Sequence, residues 1–309
     1  MDKNAVIEEE KKHTNYRGRF APSPSGFLHF GSLIAATASY LQAKKNNGEW
    51  WLRIEDIDPP REVAGASQQI IKTLNSYGFQ WNTLSYQSQR LDLYQHYTDT
   101  LLKGDKAYFC GCSRKEIIQS NKENNRSATL YPGTCRDGLH GKKARSIRIK
   151  IEKPNITIND AIQGSKTINL NQNFGDFIIK RSDGLFAYQL AVAIDDSEQM
   201  MTQIVRGYDL HESSFQQEYI RQSLNLNQPS FAHIPIAVND SGVKLCKQHA
   251  AKDIATEKPQ LVLWHALQCL HQHPPEQLKS QNLDRLWQWG FENWDMNKIQ
   301  GIQSVISPI

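Results

Sequence analysis

The sequence predicts an α/β fold with a parallel sheet, because strand-like and helical segments alternate along it. Residues 19–32 read as the end of a buried strand, a rigid turn and the first turn of a helix whose apolar face continues to Leu41. Residues 50–54 read as a second buried strand, and a helical pattern over 64–77 closes a strand–helix–strand unit. Strands joined in this way lie parallel in one sheet.

The turn in the first unit ends at a helix N-terminus. Pro22 and Pro24 each fix a φ angle, and Gly26 permits a positive one. His29 and Gly31 therefore lie where backbone N–H groups are unpaired and where the helix dipole favours an anion such as a triphosphate. An ordinary strand–turn–helix connection is the alternative for a lone His-x-Gly pair.

Length and composition restrict the class of protein. The 309 residues can bury a large core, and a formal net charge of +4 is compatible with RNA binding without demonstrating it. No apolar run approaches the length of a membrane span, and the charged segment 8–12 lacks the apolar region of a signal peptide. We expect a cytoplasmic monomer without membrane contact, with residues 1–15 as a flexible tail.

The cysteines favour metal binding. Three of the five lie within residues 110–135, and Cys110, Cys112 and Cys135 supply three thiolates that can converge on zinc. Three unrelated buried cysteines are the alternative. His140, five residues after Cys135, is one candidate for the fourth ligand. The polar segment between Ser113 and Leu130 is expected to be a loop, and the site to be structural.

The second half of the chain continues the alternation. Residues 204–210 predict a strand that ends in a glycine turn, followed by a helix over 215–223 with Ser213 or Ser214 as its N-cap. Arg206, near the end of that strand, can hold a carboxylate bidentately, although a surface salt bridge is the alternative. After residue 260 amphipathic helices follow, whose tryptophans we expect in the core, with a stacking surface for bases as the alternative.

Several of these segments resemble one family. Residues 19–32 as a block resemble the first signature of the class I aminoacyl-tRNA synthetases, in the form used by the glutamyl and glutaminyl members, with Ser32 as a departure at its fourth position. The segments 53–58, 175–184, 185–193 and 205–210 resemble later blocks of the same subclass. Residues 244–248 resemble the second signature, in which Cys246 replaces a serine.

The resemblance implies a set of site residues, with Glu55 reading the substrate α-amino group. Glutamate would be held by Arg19, Phe20, Ala21, Pro22, Ser23, Glu55, Tyr188 and Arg206. ATP, with Mg²⁺, would be bound by His29, Gly31, Ser32, Lys244 and Lys247, of which His29, Lys244 and Lys247 would be catalytic. A structural Zn²⁺ would be held by Cys110, Cys112, Tyr131 and Cys135, with His140 as the rival of Tyr131.

The resemblance also implies an architecture, a Rossmann-like doubly wound parallel sheet with a small zinc-bearing insertion and a short helical C-terminal region. The first half of the nucleotide-binding fold would span 16–105, and an acceptor-like, zinc-bearing insertion 106–185. The second half, with the second signature, would span 186–250. A helical region over 251–309 would complete the chain, with no anticodon-binding domain.

Because little sequence follows the second signature, the resemblance points to one branch, the glutamyl-Q tRNA(Asp) synthetases. These are free-standing paralogues of the glutamyl-tRNA synthetase catalytic domain. The resemblance then implies ATP-dependent, tRNA-independent activation of L-glutamate and its transfer to queuosine at the wobble position of tRNA(Asp). The alternatives are charging of a tRNA 3′ end, another nucleotidylyltransferase on the same scaffold, and a catalytically degenerate zinc-containing RNA-binding protein.

Overall fold

A computed structural model describes residues 16–128, 130–243 and 253–308, and in these ranges strands and helices alternate as predicted. The strands are β1 (Arg17–Phe20), β2 (Glu49–Ile54), β3 (Thr83–Tyr86), β4 (Ala107–Cys110), β5 (Ser146–Ile149), β6 (Asn155–Asp160), β7 (Gly164–Asn169), β8 (Ile178–Lys180), β9 (Gln203–Gly207), β10 (Ser230–Ile234), β11 (Ile236–Val238) and β12 (Ser304–Ile306). The helices are α1 (Phe30–Lys45), α2 (Ala66–Ser76), α3 (Leu91–Lys103), α4 (Arg114–Glu123), α5 (Leu170–Asn173), α6 (Tyr188–Glu198), α7 (His211–Leu224), α8 (Pro259–Cys269) and α9 (Leu283–Asn293).

Two sheets with parallel strands lie edge to edge. The first has the order β1-β2-β3, and the second has the order β7-β6-β10-β9, in which only the β6–β7 pair is antiparallel. Thr202, just before β9, donates its N–H to the Arg17 carbonyl oxygen (2.9 Å) and accepts the Arg17 N–H at its hydroxyl (3.0 Å). The predicted α/β fold with a parallel sheet is therefore confirmed.

The junction between β1 and β9 is where the direction of winding reverses. From β1 the chain passes through α1 to β2 on one side, and from β9 it passes through α7 to β10 on the other. The carboxyl ends of β1 and β9 thus border a crevice, which is where open parallel sheets bind ligands.

The segment 106–185 contains a small antiparallel sheet of β4, β5 and β8. This segment is not a separate domain, because its strands β6 and β7 belong to the second large sheet: β6 pairs with β10, and β7 pairs with β6. The expectation of a loop after Ser113 is wrong, since α4 lies there. Ser113 accepts the Glu116 N–H, and the Glu116 carboxylate accepts the Ser113 N–H, which is a capping box.

The C-terminal helices pack against α1 and close the core of the first sheet. Trp287 on α9 donates its indole N–H to the Tyr77 carbonyl (2.8 Å) and packs edge-on against Tyr40 and Phe79, with ring centroids 5.1 Å away. Trp264 and Trp294 are also buried. The expectation that the tryptophans belong to the core is confirmed for these three. Among the described helices, none combines the length and apolar character that crossing a bilayer requires.

Replacing Trp287 with alanine is expected to lower the free energy of unfolding by about 3–5 kcal/mol, because it leaves a cavity among Tyr40, Phe79 and Tyr77. Urea denaturation followed by circular dichroism measures this loss. Phe291→Ala, on the same helix but 39% exposed, is the control and should cost less than about 2 kcal/mol. An unchanged unfolding midpoint for Trp287→Ala would contradict the core role.

Candidate active site

A cavity of about 240 Å³ opens at the carboxyl ends of β1 and β9. Its walls are the turn after β1, the N-terminus of α1, the end of β9 and the connection from β10 to β11. Ten of the predicted site residues line it: Arg19, Phe20, Ala21, Pro22, Ser23, His29, Gly31, Ser32, Tyr188 and Arg206. Glu55 lines an adjoining cavity of about 130 Å³, which shares Ser23, Ser25 and Tyr188 with the first. Lys244, Cys246 and Lys247 lie outside the described residues.

His29 precedes α1 and caps it. Its Nδ1 accepts the Ser32 N–H (3.3 Å), and the Ser32 hydroxyl lies 3.0 Å from its Nε2. The departure at Ser32 therefore supplies a hydroxyl that contacts the His29 ring. Because α1 is 16 residues long, its N-terminus favours an anion at this end of the cavity.

Arg206 is a buried cation whose hydrogen-bond partners in the described chain are all neutral. Its Nε lies 3.1 Å from His233 Nε2, and its Nη2 donates to Ser214 Oγ (2.7 Å) and Gln217 Oε1 (2.8 Å). Its Nη1 is buried and has no hydrogen-bond partner among the described residues. Burial lowers the pKa of Arg206, which means that the site disfavours this charge until an anion arrives. Because Arg206 lines the cavity, its guanidinium has donor capacity left for a carboxylate or phosphate there.

Arg19, which also lines the cavity, already has a counter-ion. Asp196, fully buried on α6, accepts from Arg19 Nε (3.1 Å) and Nη2 (3.3 Å) in a bidentate pair. The same carboxylate accepts from Arg53 on β2 (2.7 Å), so one buried acid orients two arginines. These two arginines lower the pKa of Asp196 against the effect of burial.

Glu55 follows β2 and is nearly buried, with Arg53 Nη2 3.4 Å from its carboxylate. Burial raises the pKa of Glu55 to about 7, because the neighbouring arginines only partly offset the loss of hydration. A carboxylate in this state gains from an incoming cation such as an ammonium group. Tyr188, at the start of α6, lies on both cavities between Glu55 and Arg206.

The chain was compared with known proteins. A model of the catalytic domain of class I tRNA synthetases (E and Q) matches residues 15–261. The glutamyl-Q tRNA(Asp) synthetase of Vibrio parahaemolyticus is 47% identical over 92% of this chain and 94% of its own length. That of Chromobacterium violaceum is 43% identical over 92% of this chain and 95% of its own. The chain belongs to the glutamyl-Q tRNA(Asp) synthetase family.

Members of this family are ligases with the class I synthetase fold, and the chain is therefore an enzyme of that class. A solved glutamate tRNA ligase from Elizabethkingia meningosepticum, in complex with its amino acid, has a TM-score of 0.75 and is 26% identical to this family member. The likeness covers 95% of this chain and 67% of that one. The predicted class I catalytic fold is thereby confirmed.

In this glutamyl-Q synthetase family member the three cysteines predicted as metal ligands are buried together, with their sulfurs within 4.8 Å of one another. The Tyr131 hydroxyl lies 3.3 Å from Cys110 Sγ and 3.9 Å from Cys112 Sγ. His140 is exposed and is not part of this cluster. Burial opposes ionisation of Cys110, but hydrogen bonds with Tyr131 and with Arg148 Nε (3.3 Å) lower its pKa overall. The donor set suits zinc.

Sequence reasoning missed the residues that position the arginines. Two adjacent acids in an otherwise apolar helical run, Asp195 and Asp196, were the available signal, since charges at core positions need partners. The prediction of Ser213 or Ser214 as an N-cap is wrong, because α7 already starts at His211, directly after a 3₁₀ turn over Tyr208–Leu210. Ser214 lies inside the helix and bonds Arg206 instead.

Replacing Asp196 with asparagine is expected to lower the free energy of unfolding by about 3–5 kcal/mol, because Arg19 and Arg53 then remain buried without their shared counter-ion. Urea denaturation at pH 7 measures the loss. Glu49→Gln, which removes the partly exposed partner of Arg17, is the control and should cost less than about 1 kcal/mol. An equal decrease in the free energy of unfolding for both variants would contradict the stabilising role of Asp196 between the two buried arginines.

Proposed function

We propose that the enzyme activates L-glutamate with ATP and transfers the glutamyl group to queuosine in tRNA(Asp), which fits the name of its relatives, glutamyl-Q tRNA(Asp) synthetase. The observation that carries the proposal is the charge pattern of the site. Arg206 lines the cavity and has a buried guanidinium nitrogen without a hydrogen-bond partner among the described residues, and Glu55 places a buried carboxylate on the adjoining cavity. An amino acid with an acidic side chain matches both groups at once.

The two carboxylates of glutamate behave differently in the reaction, and this difference supports one orientation of glutamate in the site. Activation consumes the α-carboxylate, whose oxygen attacks the α-phosphorus of ATP while the bond to pyrophosphate breaks. The side-chain carboxylate stays ionised throughout, so it is the suitable partner for Arg206, whose charge is permanent and buried. Glu55 would then accept the α-ammonium group. Arg19, already paired with Asp196, would contribute its remaining donor capacity.

The other end of the cavity would bind ATP. The N-terminus of α1, with His29, Gly31 and Ser32, would lie against the phosphates and stabilise charge that develops on them. Lys244 and Lys247 would add positive charge from the second signature. Mg²⁺ bound with ATP would neutralise part of the phosphate charge. In the second step a queuosine hydroxyl would attack the acyl carbon, with AMP as the leaving group.

Two features of the described chain support further parts of the proposal. Arg19, Glu55 and Arg206 are held by contacts within the protein, so glutamate activation would not need tRNA to assemble the site. Cys110, Cys112, Cys135 and Tyr131 would hold a structural zinc ion that ties the end of β4 to the following loop. Zinc held in this way would stabilise the fold of this segment.

Glutamate-dependent exchange between ATP and labelled pyrophosphate, without RNA, tests the first step. The wild type is expected to exchange, and Arg206→Lys should lower kcat/KM for glutamate about 10- to 100-fold while the KM for ATP changes less than about threefold. The control is Arg285→Lys, an exposed arginine on α9. Labelled glutamate should then appear on queuosine-containing tRNA(Asp) and not on the unmodified tRNA.

Other outcomes would identify the rivals. Exchange that requires tRNA(Glu), with glutamate on its 3′ end, would indicate a charging enzyme. No exchange under either condition would indicate a protein that has lost catalysis.

The Glu55 carboxyl predicts a pH dependence. Burial raises its pKa to about 7 in the free enzyme, and only the ionised form accepts the α-ammonium group, so kcat/KM for glutamate should rise from pH 6 to 8 and level off above about pH 8. The bound ammonium lowers this pKa, so kcat at saturating glutamate should change less. Glu55→Gln should flatten the rise and lower kcat/KM by about 100-fold. The profile for ATP, measured in parallel, controls for ATP ionisation, and an equal rise in both profiles would contradict the role of Glu55.

A further inference from the structure

Arg206 is held in place by a histidine on the neighbouring strand. His233 on β10 is fully buried and lies opposite Arg206 in the parallel pairing of β9 with β10. Its Nε2 lies 3.1 Å from Arg206 Nε. Because a guanidinium nitrogen only donates, Nε2 must carry the lone pair, and the ring proton must be on Nδ1.

Asp160, at the end of β6, accepts that proton. Its Oδ2 lies 2.5 Å from His233 Nδ1, and the backbone N–H groups of Ile162, Gln163 and His233 donate to Oδ1 at 2.9, 2.9 and 3.1 Å. Burial opposes its ionisation, but the bonds from His233 and from the backbone lower the pKa of Asp160 to about 2. The carboxylate is therefore fixed and ionised, and it selects the His233 tautomer that can accept from Arg206.

The same cluster is a poor metal site, although the ligand atoms of Asp160, His211 and His233 lie within 4.8 Å of one another. Both ring nitrogens of His233 are already engaged, Nδ1 by Asp160 and Nε2 by Arg206 and the Ser214 hydroxyl (3.1 Å). A divalent cation here would also meet the guanidinium charge. Asp160, His233 and Arg206 instead form a chain of hydrogen bonds.

We propose that Asp160 and His233 are positioning residues that orient the Arg206 guanidinium toward the substrate, and so set the selectivity for an acidic amino acid. The inference rests on the proposed function, in which Arg206 holds the side-chain carboxylate of glutamate. The chain of contacts accounts for each nitrogen of Arg206. His233 holds Nε, and Ser214 and Gln217 hold Nη2, which leaves Nη1 for the ligand.

Asp160→Asn tests this arrangement without changing the size of the side chain. The amide N–H of the new residue would face His233 Nδ1 and favour the other tautomer, whose Nε2–H would point at the Arg206 donor. We expect the KM for glutamate to rise at least tenfold and the preference for glutamate over glutamine, as a ratio of kcat/KM, to fall at least tenfold. The KM for ATP should change less than twofold. ¹⁵N NMR of the imidazole should show the Nδ1–H tautomer in the wild type and Nε2–H in the variant.

Asp176→Asn is the matched control. Asp176 is also buried and accepts from the Tyr108 hydroxyl (2.7 Å) and the Ile151 N–H (2.8 Å), and the arginine that its carboxylate pairs with among the described residues is Arg136, not Arg206. This control should lose stability while the KM for glutamate and the His233 tautomer stay as in the wild type. If Asp160→Asn does not fold, His233→Gln, whose amide oxygen can accept from Arg206, should keep more selectivity than His233→Phe.

A wild-type KM for glutamate in Asp160→Asn, or an Nε2–H tautomer in the wild type, would overturn the inference. So would equal selectivity in His233→Gln and His233→Phe. A failure of the proposed function is distinguishable from these results, because the wild type would then show no glutamate-dependent exchange. The tautomer measurement needs no substrate and would still decide whether Asp160 and His233 orient Arg206.

Discussion

The cavity depends on one buried carboxylate. Asp196 on α6 binds Arg19 from β1 and Arg53 from β2, and none of the three side chains is appreciably exposed. Burying such charges is costly, and the cost is offset only while every partner is present. The three contacts therefore fix the ends of two strands against the helix that carries Tyr188. Of the three side chains only Arg19 lines the cavity, and Asp196 holds it in place from within the core.

The two cavity arginines differ in a way that indicates what the site binds. Arg19 is neutralised by a bidentate carboxylate, whereas Arg206 has only neutral partners among the described residues. A structural arginine needs no further partner. A buried arginine without a counter-ion destabilises the folded protein until it binds an anion. Because folding has already removed water from the guanidinium, that free-energy cost is not incurred again on binding, and an anionic ligand is favoured. Arg206 Nη1, which has no partner in the described part of the chain, is therefore the strongest indication of an acidic substrate.

The sequence could predict which residues form the site, but not the buried partners that hold those residues in place. His29, Glu55 and Arg206 follow or end strands, and local patterns with their motif blocks place all three at one edge of the sheet. Their partners are distant in sequence: 177 residues separate Arg19 from Asp196, and 73 separate Asp160 from His233. No local pattern encodes such pairs. α4 was missed for a different reason, since it is polar on nearly all sides and only its capping box marks it.

The positioning contacts also bear on why RNA would be unnecessary for the first step. A flexible arginine must lose side-chain entropy when it binds a carboxylate, which weakens binding. Arg206 has already lost that freedom, because β10 and α7 hold two of its three nitrogens. Its remaining donor is directed by residues that reach back to β6 through Asp160. Under the proposed function, a glutamate site preorganised within the chain would bind and activate its amino acid before any tRNA is present, and tRNA would serve only as the acceptor.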